Sequence, residues 1–167
     1  LCAEGPVVSI LPDDILYRQV QPEDAEEIVN ALVNGTVVER LLLDTDLPFF
    51  TRQQKTALRN SGVVNPESIN DYIAHDGYKS LLKVLAEGNR EAVLEEVKKS
   101  GLRGRGGAGF TTGMKWSFLA GAKNEPKYLV CNADEGDPGA FSDRWLMEQR
   151  PHLVLFGMLM SGYIVGA

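Results

Sequence analysis

The sequence predicts an α/β protein, and three observations carry that expectation. Two β-branched or aromatic runs, Val7 to Ile10 and Ile15 to Val20, flank the turn-forming Leu11-Pro12-Asp13-Asp14. Apolar residues then recur at helical spacing, most clearly from Tyr78 to Val97. Beyond them a glycine-rich loop precedes a short apolar run, Lys127 to Cys131, which opens directly into an acidic loop.

In chain order, the two N-terminal runs read as a hairpin. Pro22-Glu23-Asp24 starts a helix, because proline is tolerated in the first turn and acids suit the positive end of the helix dipole. Ile28, Val29, Leu32 and Val33 give that helix its apolar positions, and Gly35 stops it. Asp44 to Pro48 reads as a linker, Phe49 to Asn60 as a short helix, and Asn65-Pro66-Glu67 as the start of another helical turn towards Tyr72. Tyr78, Leu81, Leu82 and Leu85 form one stripe, ended by Gly88-Asn89. Val93, Leu94 and Val97 form the next, ended by Ser100-Gly101 after Lys98 and Lys99. Lys127 to Cys131 reads as a strand, Asp143 to Arg150 as a helix, and Leu153 onward as a buried apolar helix.

The bulk properties narrow the function. Apolar content of 44% and charged content of 24% are those of a globular protein. A net charge of -6 argues against a nucleic-acid binder, which needs a basic face. The longest apolar stretch, Leu153 to Ala167, is shorter than the ~20 residues that span a bilayer and is broken by glycines, so no direct membrane insertion is expected. Two widely separated cysteines, Cys2 and Cys131, fit free thiols in a reducing cytoplasm better than a disulfide framework. The start has neither the basic flank nor the apolar run of a signal peptide. Both ends look cut: there is no initiator Met, and the chain stops inside an apolar segment.

Two stretches carry candidate chemistry. Gly104-Arg105-Gly106-Gly107-Ala108-Gly109 satisfies G-x-G-x-x-G, but a helix rather than a strand precedes it, which is the wrong order for a dinucleotide fingerprint. A Walker loop also fails, since Met114 rather than Lys-Ser/Thr follows Gly113. The physical logic of glycines survives. They let backbone approach a ligand, and successive N–H groups form an anion-binding concavity beside Arg103, Arg105 and Lys115. Six glycines between Gly101 and Gly113 exceed what a tight turn with solvated arginines needs, which favours a phosphate or flat-ring ligand. The second stretch is Asn132-Ala133-Asp134-Glu135, just beyond the carboxyl end of the expected strand, where α/β sheets place ligands. Its amide and carboxylates suit ribose, ribityl or ring N–H groups, and an acidic surface turn closed by Pro138-Gly139 is an equal reading. Phe110, Trp116 and Phe118 flank the glycine loop and suit either stacking or a core. His75 and His152 stand alone, without metal-ligand spacing.

At this point the motifs match something known. Ser100 to Phe118 reads SGLRGRGGAGFTTGMKWSF, Tyr128 to Phe141 reads YLVCNADEGDPGAF, and the tail reads PHLVLFGMLMSGYIVGA. In this order they closely resemble the FMN- and NADH-binding region of the flavoprotein subunit of complex I and of its NAD-linked hydrogenase and formate dehydrogenase relatives. The resemblance implies a Rossmann-like FMN-binding domain that takes a hydride from NADH and passes electrons to iron-sulfur clusters. It implies that Gly104, Arg105, Gly106, Gly107, Ala108 and Gly109 lie along FMN, and that Lys115 sits near the flavin and phosphate. Asn132 and Asp134 would meet the ribityl and ring edge, with Glu135 beside them, and Phe110 and Phe118 would pack on the adenine of NADH. Thr111 stands where most relatives have proline, and Asp137-Pro138 looks more like the soluble hydrogenase and formate dehydrogenase branch.

The start, Leu1-Cys2-Ala3-Glu4-Gly5-Pro6, resembles the end of a thioredoxin-like 2Fe-2S domain fused ahead of the flavin domain in that branch. Cys2 is then the metal ligand that closes the 2Fe-2S set, with the others upstream, so the chain as given does not build the cluster. The resemblance divides the chain into 1–43, the end of that domain; 44–89, a linker and helical connector; and 90–167, the start of the FMN/NADH-binding domain. The remaining flavin contacts and the 4Fe-4S cysteines would follow Ala167, so the isolated chain is expected to be inactive. Partners implied are NADH and the iron-sulfur subunits of a multisubunit redox complex. Two rivals stay open: a non-catalytic nucleotide-binding or assembly module, and half a site that binds nothing.

Overall fold

A computed structural model describes residues 2–167; the side chain of Cys2, the expected cluster ligand, lies outside the described residues. The chain divides into two compact units, Leu1–Gln54 and Lys55–Ala167.

In the first unit β1 (Val8–Ile10) pairs antiparallel with β2 (Ile15–Tyr17), with Val8 opposite Tyr17 and Ile10 opposite Ile15. Leu43 N–H donates to Leu16 O (2.8 Å) and Arg18 N–H to Leu41 O (2.7 Å), so residues 41–43 extend the pairing beyond β2. A 3-10 turn at Pro22–Asp24 leads into α1 (Ala25–Val33). Asp24 starts it by accepting from Gln21 N–H at 2.8 Å, and Arg40 pairs with both Asp24 and Glu27. The core is Tyr17, Ile28, Ala31, Val38 and Leu41. Tyr17 is fully buried, and its hydroxyl accepts from Val38 N–H at 3.1 Å, so the buried phenol is satisfied. Phe49 to Asn60 does not form the expected helix. Only α2 (Pro48–Thr51) does, because this stretch is almost wholly exposed and so short a helix needs an apolar face to bury.

The second unit is helical: α3 (Ile69–Ala74), α4 (Lys79–Glu87), α5 (Arg90–Lys99), α6 (Thr112–Ala120), α7 (Ser142–Gln149) and α8 (Pro151–Val165). α8 is the hub, touching α4, α5, α6 and α7. It buries Ser161, Ile164 and Val165, and α4 buries Leu81 and Val84. Asn89 caps α5 by accepting from Ala92 N–H at 3.0 Å.

Two further findings differ from the sequence-based expectation. Lys127 to Cys131 is not a strand: among the described residues it has no ladder partner, and a strand exists only as part of a pair. It keeps a strand's alternation, with Lys127 and Leu129 half-buried and Tyr128 and Val130 exposed. The architecture is therefore helix-rich, with a two-stranded sheet confined to the first unit. The second difference is α6, which no apolar stripe announced.

Candidate functional site

The glycine loop joins α5 to α6, and its base is locked. Gly104 N–H donates to Phe110 O (2.8 Å) and Thr112 N–H to Leu102 O (2.9 Å), so residues 104–110 leave and return at neighbouring points. The Arg103 guanidinium crosses the loop to the Gly109 carbonyl at 3.0 Å. Gly107 (φ 114°) and Gly109 (φ 62°) hold left-handed backbone that side chains rarely adopt. A Cβ placed on Gly106 would meet nothing within 4 Å. The loop thus presents bare, open backbone in a conformation that only glycine provides cheaply.

α6 begins immediately after it. The first N–H groups of a helix lack intrahelical acceptors and lie at the positive end of the dipole. Arg105 on the loop and Lys115 in the first turn of α6 are both exposed, and neither makes an ion pair among the described residues. Phe110 and Phe118 stand beside each other, centroids 6.4 Å apart and planes tilted by 43°. They are 52% and 63% exposed, an apolar platform left facing solvent.

Two residues fix the placement of α6, and neither was singled out from sequence. A Cβ on Gly113 would fall 2.7 Å from Lys98 Cα, so α6 touches α5 backbone to backbone there. At the other end the Lys127 ammonium donates to Ala120 O at 3.1 Å. The available signals were a glycine just inside a helix and a lysine heading an apolar run.

The second loop is held by its own side chains. Asn132 Oδ1 accepts from Asp134 N–H (3.0 Å), leaving the Asn132 amide donors and the exposed Asp134 carboxylate free for a ligand. Glu135 is already engaged: Oε1 accepts from the Ser142 hydroxyl (2.9 Å) and Asp143 N–H (3.0 Å), Oε2 from Arg144 N–H (3.2 Å). It caps α7. Burial alone would raise its carboxyl, but these donors outweigh that and hold it below the ordinary carboxylate range. An open groove lined by Asp137, Phe141, Arg144 and Trp145 runs beside it.

The site residues therefore fall in two clusters. The glycines, Phe110, Lys115 and Phe118 form one, and Asn132, Asp134 and Glu135 the other; among the described residues no hydrogen bond or ion pair joins them. His152 sits apart, stacked on Tyr72 (5.3 Å, 23°) with Nδ1 3.1 Å from the Tyr78 hydroxyl. No metal-binding group of His, Cys, Asp and Glu occurs among the described residues.

With this geometry in place, the match is direct: residues 97–167 fit the family described as the Nuo51 FMN-binding domain. The chain is 54% identical over 116 residues to the NADP-reducing hydrogenase subunit HndC of Solidesulfovibrio fructosivorans, covering 70% of this chain and 23% of that protein. It is 52% identical over 110 residues to an NADH-quinone oxidoreductase subunit of Rhizobium meliloti (66% and 26%), and 45% identical over 105 to an NADH-quinone oxidoreductase subunit of Escherichia coli K12 (61% and 23%). The chain thus spans about a quarter of these relatives' length. A crystal structure of an NAD+-reducing NiFe hydrogenase in the H2-reduced state matches with a TM-score of 0.51 at 24% identity, over 98% of this chain and 26% of that one. That likeness bears on the fold.

Proposed function

We propose that this chain is part of a flavoprotein subunit that oxidises NADH and passes the electrons to iron-sulfur centres of a multisubunit redox complex. One observation carries the reading: a locked loop of open glycine backbone, opening a helix and flanked by two uncommitted cations, within a segment of an FMN-binding family.

The residues fit the cofactor. Bare, open backbone at Gly106 and Gly107, between Gly104 and the small Ala108, gives a flat ring room to approach, and Gly109 lets the loop close behind it. Arg105, Lys115 and the start of α6 offset phosphate charge. Asn132 donates and Asp134 accepts, the combination a polyhydroxyl chain or ring edge requires. Phe110 and Phe118 offer stacking surface for the adenine of NADH. FMN, when bound, supplies the redox chemistry, acceptance of a hydride and release of electrons one at a time, so no side chain here is assigned as acid, base or nucleophile.

The division 1–43, 44–89 and 90–167 belongs to the same proposal, with 1–43 the end of a thioredoxin-like 2Fe-2S domain and Cys2 one of its metal ligands. The strand–strand–helix order of the first unit supports it. Partner subunits carrying 2Fe-2S or 4Fe-4S clusters are proposed because the relatives are themselves named as subunits of hydrogenase and quinone-reducing assemblies. A cytoplasmic setting suits the exposed Cys131 thiol; no helix among the described residues is long and apolar enough to cross a membrane.

The test is a fluorescence titration of FMN into the deflavinated native full-length protein. Saturation at one FMN per chain is expected. Absence of binding would overturn the reading in favour of a non-catalytic assembly module.

A further inference from the structure

Lys127 heads an apolar run, Tyr128 to Val130, yet its own side chain is only 10% exposed. Its ammonium donates to Ala120 O at 3.1 Å and to Val165 O at 3.4 Å, and the Glu125 carboxylate stands 3.8 Å away. Ala120 ends α6 and Val165 ends α8. The last carbonyls of a helix have no intrahelical partner and lie at the negative end of its dipole. A single enclosed cation therefore closes two helix ends at once. Three donors on a flexible stem match two carbonyls and one carboxylate, which a planar guanidinium does not do as readily.

We infer that Lys127 is a positioning residue of the FMN site, an inference that rests on the FMN reading above. α6 carries Lys115 and Phe118 and continues directly from the glycine loop. Its start is set by Gly113 against α5, and its end by Lys127. Lys127 is also the first residue of the stretch that leads, five residues on, to Asn132 and then Asp134. No hydrogen bond joins the two clusters of the site among the described residues. Lys127 is the side chain that ties the helix of the first cluster to the backbone of the second. Without its ammonium, the end of α6 and the 128–134 segment lose their common anchor, and the phosphate side and the ribityl side of the site lose register.

The test uses the native full-length protein and the variant Lys127→Met, which keeps the length of the stem and removes the donors. Lys83→Met on α4, at an exposed lysine, is the control for loss of one charge. FMN affinity, the visible spectrum of the bound flavin and the unfolding temperature are read together. FMN bound about tenfold more weakly, with an altered flavin spectrum, is expected for Lys127→Met and not for Lys83→Met. A lowered unfolding temperature with wild-type FMN affinity and spectrum would show a structural cap only and overturn the inference. If Lys127→Met does not fold, Lys127→Gln retains an N–H donor and is expected to bind FMN with intermediate affinity; wild-type affinity there overturns it equally. Failure of the wild-type protein to bind FMN would instead sink the parent reading, and is seen before any variant is compared.

Discussion

Gly113→Ala adds one carbon where two helices meet backbone to backbone. That carbon would lie 2.7 Å from Lys98 Cα, 2.7 Å from Lys98 Cγ and 2.8 Å from Lys98 N. Carbon contacts are comfortable at about 3.5–4.0 Å, so α5 and α6 must separate by roughly 1 Å. The obstacle is backbone, which does not swing aside as a side-chain tip would. Overpacking of this kind costs about 1–3 kcal/mol. Alanine recovers up to about 1 kcal/mol of helix propensity in a helix interior, and less at Gly113, the second residue of α6. A net loss of about 1–2 kcal/mol follows, or roughly 2–8 °C in unfolding temperature for a domain of 150–250 residues. Thermal unfolding followed by circular dichroism measures it, with Gly106→Ala as comparator because a Cβ there meets nothing. Unfolding of Gly113→Ala at or above the wild-type temperature would refute the close contact and, with it, the account of how α6 is placed.

Other perturbations separate the roles of the site. Gly106→Val should leave the fold intact, since the position is open and its φ is not left-handed, yet abolish FMN retention by occupying the face where a ring approaches; a variant purified with normal flavin content contradicts that role. Phe110→Ala should weaken NADH by the value of one stacked base, about 1–3 kcal/mol, seen as a raised KM with FMN content unchanged; an unaltered KM removes Phe110 from the dinucleotide site. Glu135→Gln replaces one acceptor oxygen of the α7 cap with a donor and should lower the unfolding temperature at neutral pH. Because the folded carboxyl titrates below its ordinary value, the stabilisation is fully present above about pH 4.5 and fades as pH falls through the lowered value, so wild type and variant should converge in acid. A gap that stays constant with pH would show that the carboxylate charge is not what the cap uses.

Elements that bury an apolar stripe were legible in the sequence. The helices themselves and their Gly35 and Gly88 stops were legible, but the buried face was only partly so: Ile28 and Leu81 are buried as expected, whereas Val29, Leu32, Val33, Leu82 and Leu85 are exposed and Ala31 and Val84 take the buried places. α6 was not legible, because it is held by an absence, the missing side chain of Gly113, and by a lysine from elsewhere in the chain. The 127–131 run shows the reverse: the strand alternation is present in its exposure, but pairing is a property of two segments, and no partner exists among the described residues. Within the candidate site, the open turn at residues 104–110 was readable because the left-handed backbone at Gly107 and Gly109 is what glycine supplies. The cap formed by Glu135 was not, since a carboxylate looks the same in a sequence whether it faces a ligand or the start of α7.

The central claim, that this chain helps hold the flavin of an NADH-oxidising subunit, is tested most directly by the flavin absorbance of the native full-length protein without oxygen. The account predicts stoichiometric FMN whose absorbance bleaches on adding NADH. FMN that stays oxidised in the presence of NADH would contradict it.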